Sequence, residues 1–226
     1  MSKLSYEIVG FDLDGTLVDS SGDLAAAVNH ALIQVGRKPF PVDEIKPMIG
    51  RGARHMLNRA LAHEGGLSDE DFKPIYKELI AFYEVNIAVH TRPFPGCIDA
   101  LDRLADQDCK LAVVTNKLES LARKVLGELD MLDRFETVIG GDTMGPGNSK
   151  PSAMPIAEMI ARCGGGQAAF VGDTSDDVGA ARAAGIGVVA TSFGYNDKPV
   201  RELGADGVID HFDELVPMLS AGLRGC

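Results

Sequence analysis

The 226-residue chain is predicted to be an α/β protein, a doubly wound parallel sheet with a small all-helical domain inserted after its first strand. Three observations predict this. After Gly96, short continuous apolar runs alternate with helical periodicity, the pattern of parallel strands buried on both faces and joined by crossover helices. Between Gly22 and Ala88 there is helix after helix and no convincing strand. Three apolar runs stop at Asp12, Thr115 and Asp173, and open parallel sheets bind ligands outside the carboxyl ends of their strands. The expected division is a core of residues 1–18 and 93–226 and an insert of residues 19–92.

Each element has its own signal. Ile8-Val9-Gly10-Phe11 is the first buried strand. Leu24, Val28, Leu32 and Val35 recur at helical spacing, and Gly36 ends the pattern. Pro39, Pro41 and Pro47 punctuate the next piece, and residues 52–63 form a second helix through Met56, Leu57, Ala60 and Leu61. Ser68-Asp69-Glu70-Asp71 resembles a capping box, opening a helix that carries Phe72, Leu79 and Tyr83. Residues 90–96, with Pro93 and Pro95, are expected to be a linker. Strands follow at 110–115, 137–140, 168–172, 187–190 and 207–210. Helices are expected around Leu101, over Leu118 to Leu129, and over 152–162, 176–184 and 215–219.

Composition narrows the function. The formal net charge of −11 gives no electrostatic help in binding nucleic acid or an anionic membrane. An anionic substrate must be captured by local cations or a bound metal. Cys97, Cys109, Cys163 and Cys226 are scattered without a Cys-x-x-Cys pair, so no zinc site is expected and the thiols are read as reduced. Residues 1–6 lack an apolar signal core, and no run approaches the ~18 apolar residues of a membrane span. The expectation is a soluble cytoplasmic protein, a monomer or homodimer.

Four constellations carry chemistry. Asp12 and Asp14 stand two apart at a strand end, so their carboxylates can point to one side. Such a pair is tolerated around a cation or a shared proton. Its plainer reading is a strand running into an Asp-Gly turn. Thr115-Asn116 offers a hydroxyl, an amide and free N–H groups suited to phosphate oxygens. Lys150-Pro151 is either a solvated lysine or one aimed into the crevice by a stiff loop. Asp173, Asp176 and Asp177 lie within five residues between a strand and a helix. Either of the last two could simply favour the helix N-terminus, but Asp173 has no such job. An oxygen-rich acidic cluster favours Mg²⁺ over softer metals.

Taken in order, Asp12-Leu13-Asp14-Gly15-Thr16-Leu17, Thr115-Asn116, Lys150-Pro151 and Gly172-Asp173-x-x-Asp176-Asp177 resemble the four motifs of the haloacid dehalogenase superfamily, in its phosphatase branch. The resemblance spans essentially the whole chain and implies a Rossmann-like core under a helical cap. Val18-Asp19-Ser20-Ser21-x-Asp23-Leu24, Ile49-Gly50-Arg51-Gly52 and Pro95-Gly96 look most like phosphoglycolate phosphatases. The resemblance implies Mg²⁺-dependent hydrolysis of a small phosphorylated metabolite, 2-phosphoglycolate first, through an aspartyl-phosphate on Asp12. Asp14 would carry the proton. The Asp12 carboxylate, the Asp14 carbonyl and the Asp173 carboxylate would hold the metal. Thr115, Asn116 and Lys150 would bind phosphate, and Asp176 and Asp177 would order Lys150 or metal-bound water.

Two positions depart from the pattern. Lys150-Pro151-Ser152-Ala153 lacks the frequent second proline, which comes only at Pro155, and Asp176 stands where the family often has asparagine. That extra charge can tighten metal binding or face solvent. In the insert, Arg51, Arg54 and His55 cluster at a predicted helix start, and Arg51 or Arg54 is expected to contact the substrate's carboxylate. His30, His63, His90 and His211 show no ligand spacing and read as surface or packing residues. Ser192-Phe193-Gly194-Tyr195-Asn196 resembles a loop near the site in these phosphatases and is left outside the expected site. The competing readings are another small-molecule or sugar-phosphate phosphatase, a phosphomutase, and a non-enzymatic binding protein on this scaffold.

Overall fold

The computed structural model describes residues 4–223; residues 1–3 and 224–226, Cys226 among them, lie outside the described residues. The chain opens with β1 (Ile8–Phe11) and a short β2 (Val18–Asp19). Four helices follow, α1 (Ser21–Gln34), α2 (Val42–Ile45), α3 (Ala53–Ala62) and α4 (Asp69–Val85). After β3 (Arg92–Pro93) come α5 (Cys97–Ala105), β4 (Lys110–Val114), α6 (Glu119–Glu128) and β5 (Thr137–Ile139). The last stretch holds α7 (Met154–Arg162), β6 (Ala168–Gly172), α8 (Ser175–Ala183), β7 (Gly187–Thr191), β8 (Gly207–Ile209) and α9 (Leu215–Ala221).

Six of the strands form one parallel sheet in the order β5-β4-β1-β6-β7-β8. The chain grows from β1 to one edge, then returns across it to build the other. β1 is therefore central. Its residues alternate between the two faces, as a pleated strand requires. Val9 and Phe11 join one apolar cluster with Val113 and Val171, whereas Ile8 joins a second with Val114, Phe170, Ile156 and Val178. Phe11 pairs with both Val113 and Val171, so β1, β4 and β6 end nearly level. Asp12, Thr115 and Asp173 follow those ends.

The helices of residues 21–85 are amphipathic, and the cluster around Phe11 continues into them through Leu24, Met56 and Tyr83. The Ser68 hydroxyl caps α4 by accepting from the Asp71 N–H at 3.2 Å. Residues 92–93 differ from the expected linker. They pair antiparallel with residues 18–19, tying together the two passages between helices and sheet. Two-residue strands, one containing a proline, are too short to leave a period in the sequence. Among the described residues, no helix is long and apolar enough to cross a membrane.

Candidate active site

At the carboxyl edge of the sheet, side chains from four distant segments converge. Asp12, Asp14, Thr115, Lys117, Lys150, Asp173 and Asp177 are all buried. The turn after β1 makes this possible. Gly15 adopts φ 91°, and a Cβ there would stand 2.4 Å from Asp173 Oδ2, so only glycine lets the turn lie against that carboxylate.

Lys150 is the hub. Its ammonium donates to Asp12 Oδ1 at 2.7 Å, to Asp177 Oδ1 at 2.6 Å and to the Val114 carbonyl at 2.8 Å. All three of its donors are thereby used. Asp177 is locked in turn. Its Oδ2 accepts from the Asp173 and Thr174 N–H groups at 3.2 and 2.9 Å and from the Thr174 hydroxyl at 2.6 Å, capping α8. Asp173 Oδ1 accepts from the Thr16 hydroxyl at 2.9 Å, and Oδ2 accepts from the Tyr195 N–H at 2.6 Å. Asp12 Oδ2 receives no hydrogen bond from the described residues.

Asp14 turns its carboxylate elsewhere. Lys117 donates to its two oxygens at 2.8 and 2.7 Å, and the Ser20 hydroxyl donates to Oδ1 at 2.6 Å. The strand-end pair therefore faces one pocket but answers to two different lysines. Ser20 falls in a segment singled out above, but Lys117 is not prominent in the sequence, where a lysine is by default a solvated residue.

Burial pushes the Asp12 carboxyl up to about 6, with Lys150 opposing and Asp177 reinforcing the rise. Burial, then Asp177 and Asp12, holds Asp173 well above the usual carboxylate range. Both lysines are raised by their carboxylate partners against the effect of burial. Asp12, Asp14, Asp173 and Asp177 face Lys117 and Lys150 here, so full ionisation would leave two negative charges in excess, which the raised Asp12 and Asp173 carboxyls resist without a cation. Oxygens of Asp12, Asp173 and Asp177 lie within 4.8 Å of one another, whereas Asp14 contributes no side-chain oxygen to that group. An all-oxygen donor set with an excess charge of two suits a hard divalent cation. Asp177 Oδ2 accepts three hydrogen bonds and its Oδ1 the Lys150 ammonium, whereas each Asp173 oxygen accepts one and Asp12 Oδ2 none, so Asp12 and Asp173 are the freer carboxylate ligands.

The other expected residues are placed differently. Arg51 grips Asp176 through Nε and Nη2 at 3.0 and 2.8 Å. Arg54 stacks on Phe72 and Tyr76, 5.0 Å from each ring centre. Neither lines the pocket over Asp12. Asn116 spends its amide donors on the Gly50 and Lys150 carbonyls at 3.1 and 3.2 Å, and its own oxygen is buried without a partner. The Ser192–Asn196 loop is part of the site: besides the Tyr195 N–H, the Asn196 side chain donates to the Asp173 carbonyl at 2.7 Å.

Over Asp12 and Asp14 lies a pocket of about 30 Å³, closed from above by Leu24, Ile49, Met56 and Tyr83. That is room for about two water molecules.

Comparison with known proteins places the chain among relatives. Residues 9–191 match the model of the family described as haloacid dehalogenase-like hydrolase. The chain is 40% identical over 212 residues to a phosphoglycolate phosphatase of Agrobacterium fabrum, covering 92% of this chain and 90% of that protein. It is 41% identical over 229 residues to a phosphoglycolate phosphatase of Caulobacter vibrioides, covering 100% of this chain and 96% of that one. A crystal structure of a predicted phosphoglycolate phosphatase from Haemophilus somnus superposes with a TM-score of 0.88 at 31% identity, covering 94% of this chain and 97% of that chain.

Proposed function

The chain belongs to the haloacid dehalogenase-like hydrolase family, and on that premise we propose that it hydrolyses a small phosphate monoester, 2-phosphoglycolate, to glycolate and phosphate. The enzyme is a phosphoric monoester hydrolase. The substrate and the mechanism are our reading. The observation that carries it is Asp12: one oxygen is held by Lys150 at 2.7 Å, and the other is unencumbered by protein donors. That is the posture of a carboxylate nucleophile.

In this reading Asp12 Oδ2 attacks phosphorus and the bond from phosphorus to the ester oxygen breaks, leaving an aspartyl-phosphate. Asp14 protonates the departing alkoxide and then takes a proton from the water that attacks the aspartyl-phosphate. Lys117 donates to both Asp14 oxygens, at 2.8 and 2.7 Å, and so holds the carboxylate in place as an acceptor, the role that second half-reaction requires. For the first, Asp14 must release Lys117 and bind a proton. Thr115 and Lys150 steady the phosphoryl oxygens, and Asp177 keeps Lys150 aimed. Mg²⁺, held by the Asp12 and Asp173 carboxylates and the Asp14 carbonyl, would offset the repulsion between nucleophile and phosphate. The helices of residues 19–92 act as a cap that excludes water from the site. We place this chemistry in the cytoplasm.

The test is phosphate release from 2-phosphoglycolate with Mg²⁺ and with EDTA. The wild type should turn over only with the metal. Asp12→Asn should lose a factor of about 10³ or more in kcat while keeping its fold. Release that requires a bisphosphate activator would instead identify a phosphomutase, and no release from any ester would identify a binding protein.

A further inference from the structure

One buried polar group over the site has no partner. Tyr83, on α4, is 2% exposed, and its hydroxyl makes no hydrogen bond. It lines the same pocket as Asp12, Asp14 and Thr115. The neighbouring Lys117 ammonium, 4.7 Å from the ring centre, gives two hydrogen bonds to Asp14 and acts on the phenol with its remaining one, but an ammonium only donates, so the phenol's own proton still has no acceptor. A buried hydroxyl left unpaired lowers stability, so phenylalanine would serve packing better.

The rest of the pocket says what the hydroxyl is for. From the cap, the pocket receives glycine backbone and the apolar side chains of Leu24, Ile49, Met56 and Leu79, among others. Tyr83 is the only polar side chain that the cap contributes to that wall. Burial pushes its hydroxyl up to about 12, so at neutral pH it is a hydrogen-bond donor in search of an acceptor. Arg51 and Arg54, the cap's obvious cations, are committed to Asp176 and to the Phe72 and Tyr76 rings. Tyr83 and Lys117 both line the pocket that a substrate held at Asp12 would enter.

We propose that the Tyr83 hydroxyl donates a hydrogen bond to the carboxylate of a short phosphorylated acid and is the residue by which the cap selects such substrates. This rests on the phosphatase reading above. Lys117 supplies positive charge nearby but is shared with Asp14, so the discriminating contact falls to the phenol. A site that presents a buried donor favours a ligand that can pair it and penalises one that cannot.

The experiment compares 2-phosphoglycolate with ethyl phosphate, which has the same carbon count and no carboxylate, in wild type and Tyr83→Phe. Wild type should prefer 2-phosphoglycolate. Tyr83→Phe should lose about 10- to 100-fold in kcat/KM for 2-phosphoglycolate, stay within about twofold on ethyl phosphate, and melt no lower than wild type, since it removes an unpaired hydroxyl. A variant that keeps the wild-type preference overturns the assignment and leaves the phosphatase reading intact. Equal losses on both esters, or a lowered Tm, overturn it in favour of a packing role. A wild type that turns over both esters without preference overturns the assignment, since there is then no selection for the carboxylate to explain, and leaves the phosphatase reading intact.

Discussion

Arg51, just before α3, and Asp176, in the first turn of α8, form a two-pronged ion pair, the guanidinium Nε and Nη2 lying 3.0 and 2.8 Å from the two carboxylate oxygens. The Asp176 carboxylate is buried, and both its oxygens are taken by Arg51. The Arg51 side chain is 56% exposed, so solvent screening limits the pair to about 0.2–1 kcal/mol, or up to about fivefold in a closing equilibrium. Arg51→Ala and Asp176→Ala should each raise KM for 2-phosphoglycolate by about two- to fivefold, and the double variant no further. Added salt should raise the wild-type KM and leave the variants flat. If Arg51 touches substrate instead, Arg51→Ala will cost far more than Asp176→Ala.

Metal and protons compete for the same carboxylates. Asp12 is raised to about 6 and Asp173 is raised well above its ordinary value. A raised carboxyl binds more protons folded than unfolded, so stability falls as pH rises from the unfolded value near 4 through the folded one. A divalent cation removes that loss by favouring the ionised forms. The gain in Tm on adding Mg²⁺ to EDTA-treated protein should therefore be small near pH 4.5 and large near pH 7. A gain independent of pH would place the metal away from these two residues.

The sheet and its strand-end acids were legible because parallel strands are continuous apolar runs and an acid that stops one is conspicuous. What could not be read is where a side chain turns. Asp12 and Asp14 share a pocket, as their spacing implies, yet Lys117 takes one and Lys150 the other. Arg51 and Arg54 look alike in sequence, and only the fold shows that one meets an acid and the other two rings. Tyr83 was read as one more apolar position on a helix face, since period says nothing about whether a hydroxyl is paired.

The thiols give a separate check on the fold. Burial pushes Cys97 and Cys109 up to about 12 and raises Cys163, mainly by denying water to the thiolate. Thiolate is the reactive form. In a Cys226→Ser background, native protein at neutral pH should show no fast reaction with a disulfide reagent, and three thiols should titrate after denaturation. A rapidly modified native thiol would contradict the packing of β4 and α7 around Cys109 and Cys163.

Gly194 tests the site without touching a charge. A Cβ there would lie 2.3 Å from the Asp173 Cβ, 2.6 Å from its Oδ2 and 2.5 Å from the Gly15 carbonyl. No side chain fits unless Asp173 or the turn behind Asp12 and Asp14 moves. The next residue's N–H fixes the Asp173 carboxylate at 2.6 Å, so a shift of this loop also releases that bond. Gly194→Ala should weaken activation by Mg²⁺ about 10- to 100-fold, as loss of a ligand's supporting partner does in metal sites. The overlap is confined to this loop and the residues just past the carboxyl ends of β1 and β6, so the melting temperature should fall by only a few degrees, consistent with about 1 kcal/mol of local strain. Unchanged Mg²⁺ activation in a folded Gly194→Ala variant would mean that Asp173 does not need its present position, and the metal assignment would lose its second carboxylate.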